Sequence, residues 1–346
     1  MSFVSGIRDF FGLDIGSTAL RVVQLRGTGE LKSLVRYGYM PLEGGISLSD
    51  SAADQQKLGQ AIKQLVSSAG ISTNNVAVGL PSQKVFTTLV DIDRLADNEI
   101  ASTIQLQADS LVPTPIAESK IDWSVVGDSA IDPKKVEVLL SSVGNDYVEG
   151  RLDILETVGL NVIAFEPETM AITRSLVPNG ATGMHMILDI GNRATDLVVS
   201  MGGAPRLTRS IPTGNETIIR SAMQNLNIDE KQAEQFVTKF GLSKDKLEGQ
   251  IHSAIIGTVD ILVGEIEKSI KFVKARYPNV TLERVIVTGG ASTLPEFPLY
   301  IANKFGVSVE IGNAWRNVAF PPDKQNELLA LSNHFAAAVG LAERNE

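Results

Sequence analysis

The sequence predicts an α/β protein built as two similar lobes that face one cleft, and three stretches carry that expectation. Residues 11–25, FGLDIGSTALRVVQL, read as two apolar strands joined by a tight turn with Asp14 at its tip. Residues 186–199, MILDIGNRATDLVV, repeat the pattern with Asp189, Gly191, Asn192 and Thr195 between apolar strands. Residues 284–291, RVIVTGGA, form a buried strand running into Gly289 and Gly290 ahead of a helix.

Each hairpin ends a buried strand in a carboxylate, places a glycine two residues on, and follows it with a hydroxyl. In the first turn Gly16 lets the backbone approach a ligand closely, and Ser17 and Thr18 supply amide and hydroxyl donors for a phosphate. Asp14 is suited to hold a hydrated magnesium against that phosphate. One such turn is equally well explained as a plain hairpin tip; the second copy favours a ligand. Two of them across a cleft would clamp a polyphosphate and its metal from both sides. Gly289 and Gly290 at a helix start leave room for a flat ring or a ribose.

A chain of 346 residues suits two lobes better than one core. With 43% hydrophobic and 21% charged residues, the composition is that of an ordinary globular protein. No span approaches the roughly 18 consecutive apolar residues of a membrane helix. The start, MSFVSGIRDFFG, lacks the charged region and apolar core of a signal peptide, so a cytoplasmic location is expected. The absence of cysteine excludes disulfides and thiolate metal sites. His185, His252 and His334 lie too far apart in sequence to suggest a histidine metal site, and the net charge of -9 argues against general nucleic-acid binding.

In chain order, Phe3, Ile7 and Phe10 or Phe11 fall at helical spacing, which predicts a short N-terminal helix on its own lobe, a membrane surface or a partner. A third strand is expected over 33–40, a Gly-rich loop over 41–51, a helix over 54–69 stopped by Gly70, and a strand over 76–80. Residues 81–159 read as strand, helix, strand, strand, helix, enough for an inserted subdomain. A strand over 161–165 then ends in Glu166-Pro167-Glu168, and a helix follows to Leu176. Beyond the second hairpin come a strand at 206–212, helices at 214–226 and 229–240, and a long helical stretch over 247–275. Glu265, Lys268 and Ser269 share one face of that stretch; read alone they are an exposed intrahelical ion pair. The last helix, 333–342, carries Ala336, Ala337, Ala338 and Gly340, small residues that allow close packing of one lobe on the other.

Taken in order, DIGST, the connecting EPE, LDIGNRATD, VTGGAS and the small-residue C-terminal helix resemble the motif set of the actin-like ATPase superfamily, two RNase H-like lobes around a nucleotide cleft. Within it the chain is similar, over nearly its whole length, to the PilM family of type IV pilus assembly. Residues 80–127 resemble the SHS2-type insertion of that family, and QADSLVPTPIAE is its most family-like phrase. The resemblance implies a first lobe of 1–80 and 160–180, an insertion of 81–159, a second lobe of 181–335, and a C-terminal helix, 336–346, packing back on the first lobe.

It further implies ATP or ADP with Mg2+ as the ligand. Asp14 would bind the metal through water, with Asp189 facing it; Gly16, Ser17 and Thr18 would cradle phosphates. Arg21 stands where actin carries a phosphate-contacting lysine, with the same charge and a different reach. Asp189, Gly191, Asn192 and Thr195 match the second phosphate loop. Glu166 falls in the segment that positions the attacking water, and Asp189 is the other candidate for aligning it. Glu265, Lys268 and Ser269 match the helix beside adenine and ribose, and Gly289, Gly290 and Ala291 match the adenosine loop. Relatives often carry two glycines after the strand at 211–212, whereas here only Gly214 precedes Asn215. The expected behaviour is nucleotide binding with slow or absent hydrolysis, the nucleotide setting lobe conformation.

The partner implied is the cytoplasmic N-terminal segment of a PilN-type inner-membrane protein, held in a groove between the first lobe and the insertion. Membrane contact would then come only through that partner; pilus motor ATPases and self-association are further contacts the resemblance raises. Two alternatives stand beside this reading. An FtsA-like division filament normally ends in an amphipathic basic helix, whereas this sequence closes GLAERNE. A small-molecule kinase of the superfamily needs a dedicated carboxylate base, and none is recognisable beyond the nucleotide acids.

Overall fold

The computed structural model describes residues 9–29 and 31–345; the helical spacing at Phe3 and Ile7 lies outside them. The chain opens with an antiparallel meander, β1 (Phe11–Ile15), β2 (Ala19–Arg26) and β3 (Lys32–Pro41). Every residue of β1 is buried, as expected of a strand covered on both faces. Helix α1 (Ala52–Ser68) starts two residues before the expected position, because the Ser51 hydroxyl accepts from the Asp54 amide and caps it. Its Leu58, Ile62 and Leu65 face the sheet, and β4 (Asn75–Leu80) returns parallel to β1.

The insertion then leaves as β5 (Val85–Asp93), α2 (Asp97–Leu111), β6 (Ser119–Asp128) and β7 (Lys135–Gly144). Its three strands pair antiparallel in the order β5-β7-β6, and Ile92, Ile100, Ile104, Val138 and Leu140 make a core of their own. The expectation that the next helix closes this unit is not met. Helix α3 (Asn145–Thr157) sends Val148 and Leu155 into the first lobe's core beside Leu58, Ile62 and Phe165, so the insertion ends near Gly144. Strand β8 (Asn161–Pro167) pairs with β4, and α4 (Glu168–Leu176) leads away from the sheet.

The second lobe repeats the plan with β9 (Met184–Ile190), β10 (Thr195–Met201) and β11 (Ala204–Ile211), then α5 (Asn215–Leu226), α6 (Glu230–Phe240) and α7 (Gln250–Arg276). Strand β12 (Leu282–Thr288) returns parallel to β9, and α8 (Phe297–Phe305) leads to β13 (Ser308–Ile311). The strand orders are β3-β2-β1-β4-β8 and β11-β10-β9-β12-β13, so each half places its third, second, first, fourth and fifth strands side by side. The chain then crosses back. Strand β14 (Val318–Ala319) adds to the first sheet beside β3, and α9 (Gln325–Leu331) leads to α10 (Ala336–Ala342). The tail of the expected second lobe, with Ala314, Trp315 and Val318, therefore belongs to the layer between the sheets.

Helices α4 and α10 make up the middle of that layer. Ile172 and Leu176 of α4 and Ala338 and Val339 of α10 share one core with Val23 of the first sheet and Ile187, Val198 and Ile286 of the second. The small residues of α10 let backbones meet. A Cβ at Gly340 would lie 1.8 Å from the Ala171 carbonyl oxygen, and one at Gly12 of β1 would lie 2.5 Å from that of Ala338. Among the described residues no helix is long and apolar enough to cross a membrane.

The contact makes a prediction. Gly340→Ala should destabilise the fold by more than about 2 kcal/mol, since neither backbone can retreat. Gly257→Ala, in open space on α7, should instead stabilise it by about 0.5–1 kcal/mol. Urea unfolding of the two variants decides it, and equal midpoints would show that the two helices are not in backbone contact.

Candidate functional site

The two hairpins close alike: the Gly16 amide donates to the Ala19 carbonyl at 3.0 Å, and the Gly191 amide to that of Ala194 at 2.9 Å. Their tips meet at one cleft between the lobes. Asp14, Gly16, Ser17, Thr18 and Arg21 line it from the first lobe, and Asp189, Gly191 and Asn192 from the second. Gly289, Gly290 and Ala291 line it as well. Gly289 has φ +86, and a Cβ there would sit 2.3 Å from Asp189 Oδ1, so the turn requires glycine on both counts. Asn333 clamps the turn by accepting from the Gly289 amide at 2.8 Å and donating to its carbonyl at 3.2 Å.

Several expected site residues lie elsewhere. Glu166 faces away from the cleft: Arg174 grips its carboxylate, and Arg344 reaches it at 3.3 Å. Glu265 and Ser269 are engaged by Arg209 at 2.9 and 3.0 Å, and Lys268 by Glu265 at 2.6 Å, on a face of α7 that does not line the cleft. Thr195 is buried and bonds the Thr213 carbonyl at 2.7 Å, supporting the second hairpin from behind. Gly214 also acts from behind, because a Cβ there would lie 2.5 Å from the Asn192 carbonyl oxygen. A single glycine is therefore enough to seat the start of α5 on this hairpin, where the Asn215 amide donates to Gly191 at 3.0 Å.

Other residues of the cleft escaped sequence reasoning. Glu168, at the start of α4, is the acid of the Glu-Pro-Glu crossover that lines it. Glu234 on α6 lines it near Asn215; the Asp229 cap of that helix was legible, but its orientation was not. Tyr147 and Arg151 of α3 and His334 before α10 complete the wall. Asp196 had a signal. It pairs with Asp189 across the second hairpin as Arg21 pairs with Asp14 across the first, the same register in both halves.

That equivalence sets the electrostatics. In the first hairpin an acid faces a cation: Arg21 Nη1 donates to Asp14 Oδ2 at 2.9 Å, and the guanidinium stacks over the Tyr39 ring at 5.5 Å. In the second an acid faces an acid. Burial, with Asp196 and Asp14 adding repulsion against a smaller opposing pull from Arg21, pushes the Asp189 carboxyl up to about 7. Burial raises Asp14 and Asp196 too, and lifts Glu168 well above the carboxylate range with help from its three acidic neighbours. Four of the cleft's carboxyls, Asp14, Glu168, Asp189 and Asp196, thus lie close enough to raise one another, and Arg21 is paired with the first of them. Among the described residues no three acidic or imidazole groups form a ready-made metal cage.

A second concavity lies between the first lobe and the insertion. Leu80, Phe165 and Met170 line one side, Val85, Trp123 and Leu139 the other, with Lys120 and Arg344 as its cations.

The profile of the family described as type IV pilus assembly protein PilM matches residues 12–346. The chain is 22% identical over 343 residues to the cell division protein FtsA of Enterococcus hirae, covering 87% of this chain and 77% of that protein. Among solved structures, a PilM–PilN type IV pilus biogenesis complex aligns with a TM-score of 0.82 at 23% identity, covering 97% and 98% of the two chains. MreB 5 of Spiroplasma citri bound to AMPPNP aligns at 0.53 and 13%, covering 96% and 94%. These likenesses are to proteins of the actin-like ATPase fold, as the repeated strand order requires. With the profile spanning nearly the entire sequence, the chain belongs to the PilM family of type IV pilus assembly proteins.

Proposed function

We propose that this chain binds magnesium with ATP or ADP in the cleft and works as a type IV pilus assembly scaffold that holds the N-terminal cytoplasmic segment of a PilN-type membrane protein in the groove beside the insertion. One observation carries the reading: each lobe brings an acid-tipped hairpin to the same cleft, opposite a glycine turn. The residues suit the ligand. Gly16 and Gly191 keep the tips bare, since a Cβ would meet carbonyl oxygens at 2.9 and 3.0 Å. Ser17, Thr18 and Asn192 offer hydroxyl and amide groups for phosphates, and Arg21 a charge.

Asp14 and Asp189 hold magnesium through water, which needs no protein cage because this ion keeps several waters and takes one or two carboxylates. The bound ion supplies neutralisation of phosphate charge. Glu234, Asn215 and Gly290, which line the same cleft, are the groups left for the adenosine end. Glu168 replaces Glu166 as the acid that orients a water, since it is the crossover acid in the cleft. Burial, with Asp14, Asp196 and Asp189 adding repulsion, holds the Glu168 carboxyl well above its ordinary value, which disfavours the charged form that would orient a water and agrees with slow or absent turnover. The apolar groove suits a short segment carrying alternating apolar side chains. Membrane recruitment then runs through that segment.

Asp14→Ala should weaken magnesium-dependent ATP binding at least tenfold in a calorimetric titration; an unchanged affinity would remove the site. Trp123→Ala should weaken capture of a PilN-type N-terminal peptide about tenfold, the scale of a lost aromatic anchor, while ATP affinity holds. If the wild-type chain ignores the peptide at micromolar concentration, the groove is not its site. The pH dependence has a definite sign. Asp189, raised from its unfolded value of about 4 to about 7, contributes stability that is complete below the lower value and lost as pH climbs through the upper one. Urea unfolding of the ligand-free chain should therefore show Asp189→Asn gaining on the wild type as pH rises between those values; a constant difference would contradict the raised carboxyl that burial and its acidic neighbours produce.

A further inference from the structure

The insertion is covalently part of the first lobe, leaving it after β4 and rejoining it at α3. Its polar anchoring is to the second. Glu137 on β7 has no exposed surface; its carboxylate accepts from Arg276 Nε and Nη2 at 3.0 and 2.8 Å and from the Tyr277 hydroxyl at 2.8 Å, and Arg206 Nε lies 3.1 Å away as an ion pair. Arg276 also bonds both oxygens of Asp91 on β5 at 2.9 and 2.8 Å, and Arg206 donates to the Val126 carbonyl on β6.

All three donors belong to the second lobe, Arg206 on β11 and Arg276 and Tyr277 at the end of α7. Each of the insertion's three strands supplies an acceptor. Two cations face two anions, Glu137 and Arg206 buried and Asp91 and Arg276 part-buried, so sliding this contact would strand the Glu137 charge. On the first-lobe side Val85 of β5 and Val143 of β7 join the first lobe's core, both beside the crossings, and beyond them the insertion meets the apolar groove and exposed contacts, such as Asn145 with the Ala117 carbonyl at 3.0 Å and Lys120 with Glu149 at 3.8 Å. The exposed contacts are easily broken and remade.

We infer that the insertion and the second lobe form one rigid body, clasped through Glu137, Asp91, Arg206, Arg276 and Tyr277, and that the insertion moves relative to the lobe that encodes it. The hinges are the two crossings, at 81–84 and at Gly144, where a Cβ would meet nothing within 4 Å. Any opening of the cleft then changes the width of the groove. If the groove holds the peptide proposed above, its capture senses lobe position, but the rigid-body assignment does not depend on what the groove binds.

The chain has no cysteine, so paired spin labels can be placed cleanly in the full-length, ligand-free protein. Leu106→Cys on the insertion with Ile261→Cys on α7 reports the clasped pair, and Leu106→Cys with Lys57→Cys on α1 reports the hinged one; all three sites are exposed. The insertion-to-second-lobe distance distribution should be at least twofold narrower than the insertion-to-first-lobe distribution, and Arg276→Ala should broaden it at least twofold. Asp91→Asn, which keeps the shape and removes one charge, should broaden it less and serves if Arg276→Ala fails to fold. Equal widths, a narrower first-lobe distribution, or no response to these substitutions would overturn the inference. Peptide capture, measured separately on unlabelled protein, tests the groove and not the clasp.

Discussion

Two helices in backbone contact hold this molecule in register. Where Gly340 of α10 meets the carbonyl of Ala171 on α4, any side chain would push the sheets apart. The pair is the shared middle of the lobes, with Val23 on one side and Ile187, Val198 and Ile286 on the other. Both helices end in the site. Glu168 begins α4, and Ala336 and Ala337 begin α10, and all three line the cleft. The spacing of the two sheets, and therefore the spacing of Asp14 and Asp189, is set by how closely two polypeptide backbones can approach.

The lobes repeat a topology but not a charge pattern. Strand register puts Arg21 and Asp196 at equivalent places, one opposite Asp14 and one opposite Asp189. The first hairpin is nearly neutral and the second repels itself. Such an arrangement is costly without a cation and favourable with one, because opposite charge lowers a carboxyl that burial has raised. An asymmetric cleft of this kind makes proton occupancy depend on any cation that enters it.

The insertion belongs to two lobes in different senses. Sequence continuity and the apolar ends of β5 and β7 tie it to the first, whereas buried and part-buried ion pairs tie it to the second. Strong polar contacts with matched charges fix geometry, while the apolar groove on the other side leaves surface unfilled. Between a fixed side and a loose side, motion concentrates at the loose one. The groove beside Trp123 and Phe165 is therefore the part of the structure whose width follows the lobes.

Much of this could be read from residues alone, because strands, caps and turns are local. The acid at the end of each buried strand, the bare glycine turns at Gly16, Gly191 and Gly289, and the small residues of α10 need only short-range periodicity and steric rules. The same local rules could not say which side of the molecule a polar residue faces. Glu166 and Glu168 stand two residues apart, yet one is gripped by Arg174 and Arg344 and the other lines the cleft, because the chain changes from strand to helix between them. Glu265 matched a motif while Glu234 lines the cleft, since α6 reaches it and the Glu265 face of α7 is engaged by Arg209 instead. Composition and spacing determined the elements and the chemistry they carry; the packing of α4 on α10 and the clasp on Glu137 decided which of those groups share a site. Contacts between residues distant in sequence leave no periodic trace in the chain, so only the tertiary structure could place them.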